Sequence, residues 1–134
     1  MRVCLDTNVL ISGIFWKGIP GKILDLWIED RFDLIGTLSI LGEYQRILKR
    51  LGQAVDERLA QKWIEVLIEK MIIIIPAPSV KRWSRDIHDD KFVEGSLAGK
   101  ADYLVTGDKD LLDLKIDFPF QIVKAKKFLA QLKQ

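Results

Sequence analysis

The chain alternates short apolar segments with longer amphipathic segments from one end to the other, and this alternation restricts its fold more than any other feature. Apolar runs of three to five residues suit β-strands and are too short for helices. The longer segments place apolar residues at three- and four-residue steps, the period of a helix with one buried face. The pattern predicts a three-layer α/β/α fold in which helices cover both faces of a central parallel sheet of about five strands.

The predicted strands are residues 2–5, 32–35, 71–75, 102–106 and 120–123. The third of them, Met71-Ile72-Ile73-Ile74-Ile75, contains no polar residue, so we expect both of its faces to be covered, as in the middle of an α/β sheet. Helices are predicted with Pro20 in a first turn and with Ser39 and Asp56 as N-caps. Their ranges are residues 20–30, 39–50, 56–70, 91–100 and 124–133.

The length of 134 residues is typical of one domain, and no stretch resembles a linker, so we expect a single domain over residues 1–134. A hydrophobic content of 49% fills a core at this length without disulfides or a structural metal. The single cysteine, Cys4, lies in an apolar run and is predicted to be a small buried residue. No apolar run approaches the ~18 residues of a membrane span, so a cytoplasmic protein without membrane association is expected.

The balance of 21 Lys and Arg against 19 Asp and Glu is too even to indicate a nucleic-acid partner by itself. The basic residues are, however, concentrated in two places, and each group is either solvated surface or a contact surface for an acidic partner. The first group is Lys81, Arg82 and Arg85. The second, at the C-terminal end, is Lys124, Lys126, Lys127 and Lys133.

Two aspartates directly follow predicted strands. Asp6 comes after Val3-Cys4-Leu5 and before a helical pattern, and Asp108 follows the strand of residues 102–106 and opens another helical segment. Open α/β sheets bind ligands at the carboxyl ends of their strands, and adjacent strands lie ~4.8 Å apart, so these two acids can share one ion. Each acid is equally placed to cap the helix that follows it, and for Asp108 the two roles are compatible.

Glu43 lies between Ile40 and Ile47 on a predicted apolar face of its helix. A buried carboxylate needs a partner, which is either a distant Lys or Arg or a metal ion. The alternative is that the apolar face consists of other residues and leaves Glu43 at its solvent edge. That alternative face is Leu41, Tyr44, Leu48 and Leu51.

The pair Asp89-Asp90 precedes a helix, so one of the two is expected to cap it while the other points into the crevice. Asp90 is the predicted ligand. His88 beside the pair is expected to be exposed rather than functional. Asp110 is close enough to Asp108 in the chain to act as an auxiliary ligand. Four carboxylates without matching cations repel one another, and an all-oxygen site favours Mg²⁺ or Mn²⁺.

Four motifs, taken together, resemble those of the PIN-domain family over nearly the whole chain. They are Leu5-Asp6-Thr7-Asn8-Val9-Leu10, Ser39-Ile40-Leu41-Gly42-Glu43, Asp89-Asp90-Lys91-Phe92 and Thr106-Gly107-Asp108-Lys109-Asp110-Leu111. The resemblance implies that Asp6, Glu43, Asp90 and Asp108 bind the metal and perform catalysis. It also implies supporting polar roles for Asn8 and Thr106.

The activity implied by this resemblance is that of an endoribonuclease that requires Mg²⁺ or Mn²⁺. Members of this compact size resemble the VapC-like toxins of toxin–antitoxin pairs, so the resemblance also implies an RNA substrate, a cognate antitoxin protein and a homodimer. Lys91 and Lys109 stand next to predicted ligands and are candidates for contacts with substrate phosphates, or else are ordinary surface lysines.

Two other functions fit parts of the same pattern. A phosphoaspartyl phosphatase or receiver-like domain also places an Asp at the end of its first strand, although the phosphatase version needs an acid where this chain has Asn8. A non-catalytic RNA-binding module that keeps the fold is the second alternative, and the presence of all four acids counts against it.

Overall fold

The structure is a computed structural model that describes residues 1–76, 82–84 and 86–133. Five parallel strands form one sheet in the order β3-β2-β1-β4-β5. The strands are β1 (Arg2–Leu5), β2 (Asp33–Gly36), β3 (Ile72–Ile73), β4 (Tyr103–Val105) and β5 (Gln121–Val123). The first strand is therefore central, with β2 on one side and β4 on the other.

Seven α-helices and one 3-10 turn connect and cover these strands in the described part of the chain. They are α1 (Thr7–Phe15), α2 (Gly18–Ile28), α3 (Leu38–Ala54), α4 (Glu57–Lys70), a 3-10 turn (Ile87–Asp89), α5 (Asp90–Ala98), α6 (Lys109–Leu112) and α7 (Ala125–Leu132). Helix α2 packs on α1 and α7, and α5 packs on β1, β2 and β4. The predicted α/β fold with a parallel sheet of five strands is confirmed.

Helix starts follow from local capping chemistry. Asp56 caps α4 as predicted, because its side chain accepts a hydrogen bond from the Leu59 N–H at 3.1 Å. Pro20 lies in the first turn of α2, also as predicted. The prediction for α3 was wrong: its cap is Thr37, whose hydroxyl accepts from the Ile40 N–H at 3.2 Å, and not Ser39. Both residues have capping side chains, so the sequence offered two possible starts.

The prediction that both faces of the third strand are covered was wrong. It comprises only Ile72–Ile73 and pairs with β2 alone, so it forms an edge of the sheet. Ile72 is 36% exposed and Ile75 is 90% exposed. A continuous apolar run suits a covered central strand, but here only part of the run is buried, where Met71 packs against Gly36. The other strands lie within a residue or so of their predicted positions.

The core lies on both sides of β1, whose Val3, Cys4 and Leu5 are fully buried, so the prediction for Cys4 is confirmed. Helix α7 is anchored through Phe128, whose ring meets Phe32 at 5.5 Å and Tyr103 at 5.3 Å between centroids. Within the described residues, no helix combines the length and apolar character needed to cross a membrane.

Candidate active site

Asp6 and Thr106 lie side by side at the carboxyl edge of the sheet. Leu5 of β1 is in register with Val105 of β4, so the residue that follows each strand occupies the same edge. The Asp6 N–H donates to the Val105 carbonyl at 2.9 Å. The buried Thr106 hydroxyl donates to Asp6 Oδ2 at 2.6 Å. Thr106, for which a supporting polar role was predicted, thus fixes the orientation of the Asp6 carboxylate.

Asp6 is itself the N-cap of α1. Its Oδ1 accepts from the Asn8 N–H at 3.4 Å, and its carbonyl accepts from Val9 and Leu10. Burial raises the pKa of Asp6, the hydrogen bonds from Thr106 and Asn8 lower it in part, and the carboxylates of Asp108 and Glu43 raise it further. Asp6 therefore caps α1 and also faces other carboxylates, because its Oδ1 accepts from Asn8 while its Oδ2 accepts from Thr106.

Asp108 reaches the same edge through the turn that follows β4. Its N–H donates to the Thr106 hydroxyl at 3.0 Å, so one threonine orients both aspartates. Asp108 caps the short helix α6, since its Oδ1 accepts from the Asp110 N–H at 2.8 Å. The combined capping and cluster position predicted for Asp108 agrees with this geometry.

Asp89 completes the cluster from the other side. Oxygen atoms of Asp89, Asp108 and Asp110 lie within 4.8 Å of one another, a spacing that allows one cation to contact all three. Burial and then the facing carboxylate of Asp108 raise the pKa of Asp89 to about 7, and the charges of Asp86 and Asp6 act in the same direction. Its Oδ2 is buried and has no hydrogen-bond partner among the described residues.

Asp90, the predicted ligand, binds a backbone segment with one of its two oxygens. Its Oδ1 accepts from the Ser84 N–H at 2.7 Å and from the Trp83 N–H at 3.2 Å, so this carboxylate holds the segment that precedes α5. Asp89 is the residue at the N-cap of α5, yet its side chain makes no capping hydrogen bond. The structure thus brings Asp89 close to Asp108, and metal ligation by Asp90, whose Oδ2 is buried without a hydrogen-bond partner among the described residues, stays a prediction.

Glu43 lies beside the cluster on α3, with only 15% of its side chain exposed. Its Oε1 accepts from Lys91 Nζ at 2.7 Å and its Oε2 accepts from the Thr7 hydroxyl. Burial alone would raise the pKa of Glu43, but the hydrogen bonds from Lys91 and Thr7, with the charges of Lys91 and Arg46, lower it overall. The expected distant cation is therefore Lys91, whose Nζ binds Glu43, and its predicted contact with a substrate phosphate stays a prediction.

The apolar face of α3 combines parts of both alternatives. Ile40, Tyr44 and Leu48 are fully buried, whereas Leu41, Ile47 and Leu51 pack at the margin of the core. Glu43 precedes Tyr44, whose hydroxyl donates to the Leu5 carbonyl at the end of β1. That hydrogen bond ties the helix that carries Glu43 to the strand that carries Asp6.

Several other predicted residues lie at the surface. Asn8, Lys109 and His88 are exposed, and for His88 this exposure was predicted. Lys81 and Arg85 of the first basic group lie outside the described residues. Sequence reasoning gave no role in the site to Thr7 or Tyr44. Thr7 had a signal, since it stands between two candidate residues, whereas nothing in the sequence showed that Tyr44 would reach β1.

The residues present fit a hard divalent cation. Asp6, Asp89 and Asp108 form no ion pair within the described parts of the chain, so their mutual repulsion has no internal cation to relieve it. Every candidate donor is a carboxylate oxygen, the ligand type that Mg²⁺ and Mn²⁺ prefer. Asp89 Oδ2 and Asp90 Oδ2 are both buried and have no hydrogen-bond partner among the described residues, so each is an atom that such a ligand would satisfy.

Fold and site together define a class of protein, namely an α/β protein with a carboxylate cluster at the carboxyl edge of a parallel sheet. The family model described as "PIN domain" matches residues 2 to 110, and the chain belongs to the PIN-domain family. PIN domains are generally nucleases and typically bind a divalent metal. The chain is also 35% identical over 122 residues to the uncharacterized protein MJ1680 of Methanocaldococcus jannaschii, an alignment that covers 86% of this chain and 76% of that protein.

Proposed function

We propose that this protein is an endoribonuclease that uses Mg²⁺ or Mn²⁺ to hydrolyse phosphodiester bonds of RNA. One observation carries the proposal: oxygens of Asp89, Asp108 and Asp110 lie within 4.8 Å of one another, with no internal counter-ion among the described residues. Asp6 lies outside this group of three but close enough for its charge to act on Asp89 and Asp108. Membership of a family of nucleases supports the same reaction class.

We assign metal binding to Asp6, Asp89 and Asp108, with Asp110 as an auxiliary ligand. A divalent metal in such a cluster lowers the pKa of a bound water and neutralises charge on a scissile phosphate. The predicted metal ligation by Asp90 stays a prediction, because one oxygen of that carboxylate already accepts two backbone N–H groups. Glu43 carries its own cation in Lys91, so we assign it a supporting role.

The chain's own contribution is to orient oxygens in advance. Thr106 holds Asp6 and, through its own oxygen, the backbone of Asp108. Thr7 and Lys91 hold the two oxygens of Glu43. Carboxylates fixed in this way need little reorganisation when a substrate phosphate arrives, which lowers the barrier to reaction.

Comparing Asp6→Asn with Asp113→Asn tests this function. Both changes remove one negative charge, but Asp113 is exposed and lies outside the cluster. Total RNA is incubated with each protein in Mn²⁺ or in EDTA, and the ends of the products are mapped. We expect cleavage by wild type and Asp113→Asn in Mn²⁺ only, with 5′-phosphate and 3′-hydroxyl products. Equal cleavage by Asp6→Asn and wild type would contradict the proposal.

The same reactions separate the alternative functions. A phosphoaspartyl enzyme would form a covalent acyl-phosphate on Asp6, which mass spectrometry of protein treated with a phosphoryl donor would detect. A binding module would gain thermal stability from Mn²⁺ but cleave no RNA. The Thr106 hydrogen bond and the buried position of Asp6 favour a fixed ligand over an accessible nucleophile.

We further propose that the protein is the toxin of a toxin–antitoxin pair, acts in the cytoplasm as a homodimer and is inhibited by a cognate antitoxin. The resemblance of the four motifs to those of the PIN-domain family supports this role. Induced expression of wild type is expected to arrest growth, whereas Asp6→Asn is not, and light scattering is expected to give twice the mass of the chain. Normal growth with full expression of active enzyme would contradict the toxin role.

A further inference from the structure

A groove of about 450 Å³ lies between the first two helices, the turn after β4 and the start of α7. We call it the α1–α7 groove and define it by three pairs of lining residues. These pairs are Asn8 and Gly107, which neighbour the strand-end acids in the chain, the apolar residues Ile19 and Pro20, and the basic residues Lys124 and Lys126. Its volume falls in the range of pockets that enclose a small organic molecule, which is the scale of a nucleotide rather than a duplex.

Two lining residues of the groove, Asn8 and Gly107, neighbour the strand-end acids. The Asn8 N–H donates to Asp6 Oδ1, and Gly107 lies between Thr106 and Asp108 in the turn that carries the second aspartate. A molecule in the groove therefore touches the backbone next to both strand-end acids.

The charge of the groove is opposite to that of the cluster. Lys124 and Lys126 are exposed cations, and no acidic side chain lines the groove among the described residues. Lys124 is also the N-cap residue of α7, whose first N–H groups receive no side-chain capping bond and add positive potential. An anionic chain repelled by the carboxylates is thus attracted immediately beside them.

We propose that the α1–α7 groove binds the segment of single-stranded RNA next to the cleaved bond. Lys124 and Lys126 contact its backbone phosphates. Ile19 and Pro20 contact the flat face of a base or the ribose. This inference rests on the proposed function, which it deepens by giving the strand a path to the acidic cluster.

The helix α7 supplies a matched control. Lys127 and Lys133 are exposed lysines in the same helical segment but do not line the groove. The double variants K124A/K126A and K127A/K133A remove the same charge from the same part of the chain. A difference between them therefore reports position rather than net charge.

Binding is measured by fluorescence anisotropy with a labelled single-stranded RNA oligonucleotide in EDTA, where cleavage does not occur, over a range of salt concentrations. For K124A/K126A we expect Kd to rise on the order of tenfold. The slope of log Kd against log salt should fall by about 1.4, because each phosphate contact to a single strand contributes about 0.7. For K127A/K133A we expect Kd within about twofold of wild type and an unchanged slope. In Mn²⁺, K124A/K126A should raise KM with little change in kcat.

Equal losses of RNA affinity in the two double variants, or no loss in either, would contradict the proposal that the α1–α7 groove binds RNA. So would failure of wild type to bind the oligonucleotide while it binds an acidic peptide through the same lysines, since the groove would then serve a protein partner. Failure of the proposed function is a separate result: wild type would bind RNA with the expected lysine dependence in EDTA but cleave none in Mn²⁺.

Discussion

Glu43 and Asp89 belong to the same acidic site but have opposite electrostatic surroundings. Glu43 accepts hydrogen bonds from Lys91 and Thr7, and these partners lower the pKa of Glu43 despite its burial. Asp89 faces another carboxylate, and burial together with that neighbour raises the pKa of Asp89 to about 7. The site thus contains one acid with an internal cation and a group of carboxylates that has no cationic partner among the described residues. This difference predicts which side chains bind metal and which support it.

The largest expected effect is on catalysis. Asp108→Asn should lower kcat for RNA cleavage in Mn²⁺ by on the order of 100-fold or more, because it removes a ligand from the cluster without a counter-ion. Glu43→Gln should cost on the order of tenfold, because it changes a supporting residue. Rates are measured on a labelled oligonucleotide, with circular dichroism to verify folding. A larger loss for Glu43→Gln than for Asp108→Asn would reverse the ranking of the two acids.

The second prediction concerns metal binding without turnover. Mn²⁺ at about 100 times its Kd should stabilise wild type by about 2.7 kcal/mol, because it binds only the folded cluster. Asp89→Asn should abolish most of this gain, and Asp113→Asn should keep it. Thermal unfolding with Mn²⁺ and with EDTA measures both. If Asp90→Asn loses the gain while Asp89→Asn retains it, the ligand is Asp90, as the sequence predicted.

The third prediction tests the internal cation. Lys91→Met should destabilise the protein by about 2 kcal/mol, because it leaves the half-buried Glu43 carboxylate without its main partner. Adding Glu43→Gln should recover part of the loss, since an amide is less costly to bury than an unpaired charge. Urea unfolding of the single and double variants gives the coupling. Additive losses would show that the Lys91–Glu43 pair contributes nothing.

The smallest effect is a dependence on pH. The pKa of Asp89 is raised in the folded state, so the folded protein binds this proton more tightly than the unfolded chain does. Stability from this group is present at acid pH and is lost as pH rises through about 7. In EDTA, Asp89→Asn should therefore be more stable than wild type at pH 8, by about 1 kcal/mol after allowance for solvent screening, and the difference should disappear near pH 4. A difference that is constant with pH would contradict this account.

The strand-end acids were predictable because their signal is local. An apolar run followed by Asp6, and another followed by Asp108, place both acids at one edge as soon as the sheet is parallel. The third acid was not predictable in the same way. Asp89 and Asp90 begin the same helix, and their roles depend on the backbone N–H groups of Trp83 and Ser84, which every residue except proline possesses.

Other features depend on contacts between distant parts of the chain. Lys91 binds Glu43 although 48 positions separate them, and nothing in the sequence around either residue predicts this pair. The isoleucine run of β3 has the same sequence pattern whether the strand has a neighbour on both of its edges or on one edge only. Likewise, the lysines of α7 form one basic group in the sequence, and only the packing of α7 against α2 separates those that line the groove from those that do not.

The anchoring of Asp90 has a consequence for its neighbour. Asp90 accepts hydrogen bonds from the backbone N–H groups of Trp83 and Ser84, and these bonds hold the start of α5 in one position. Because Asp89 is the preceding residue, its side chain is held close to Asp108 in the folded protein. The backbone at Asp89 loses its conformational entropy when the chain folds, before any ligand binds. A change at Asp90 therefore reaches the acidic cluster through the main chain, as a loss of preorganisation at Asp89.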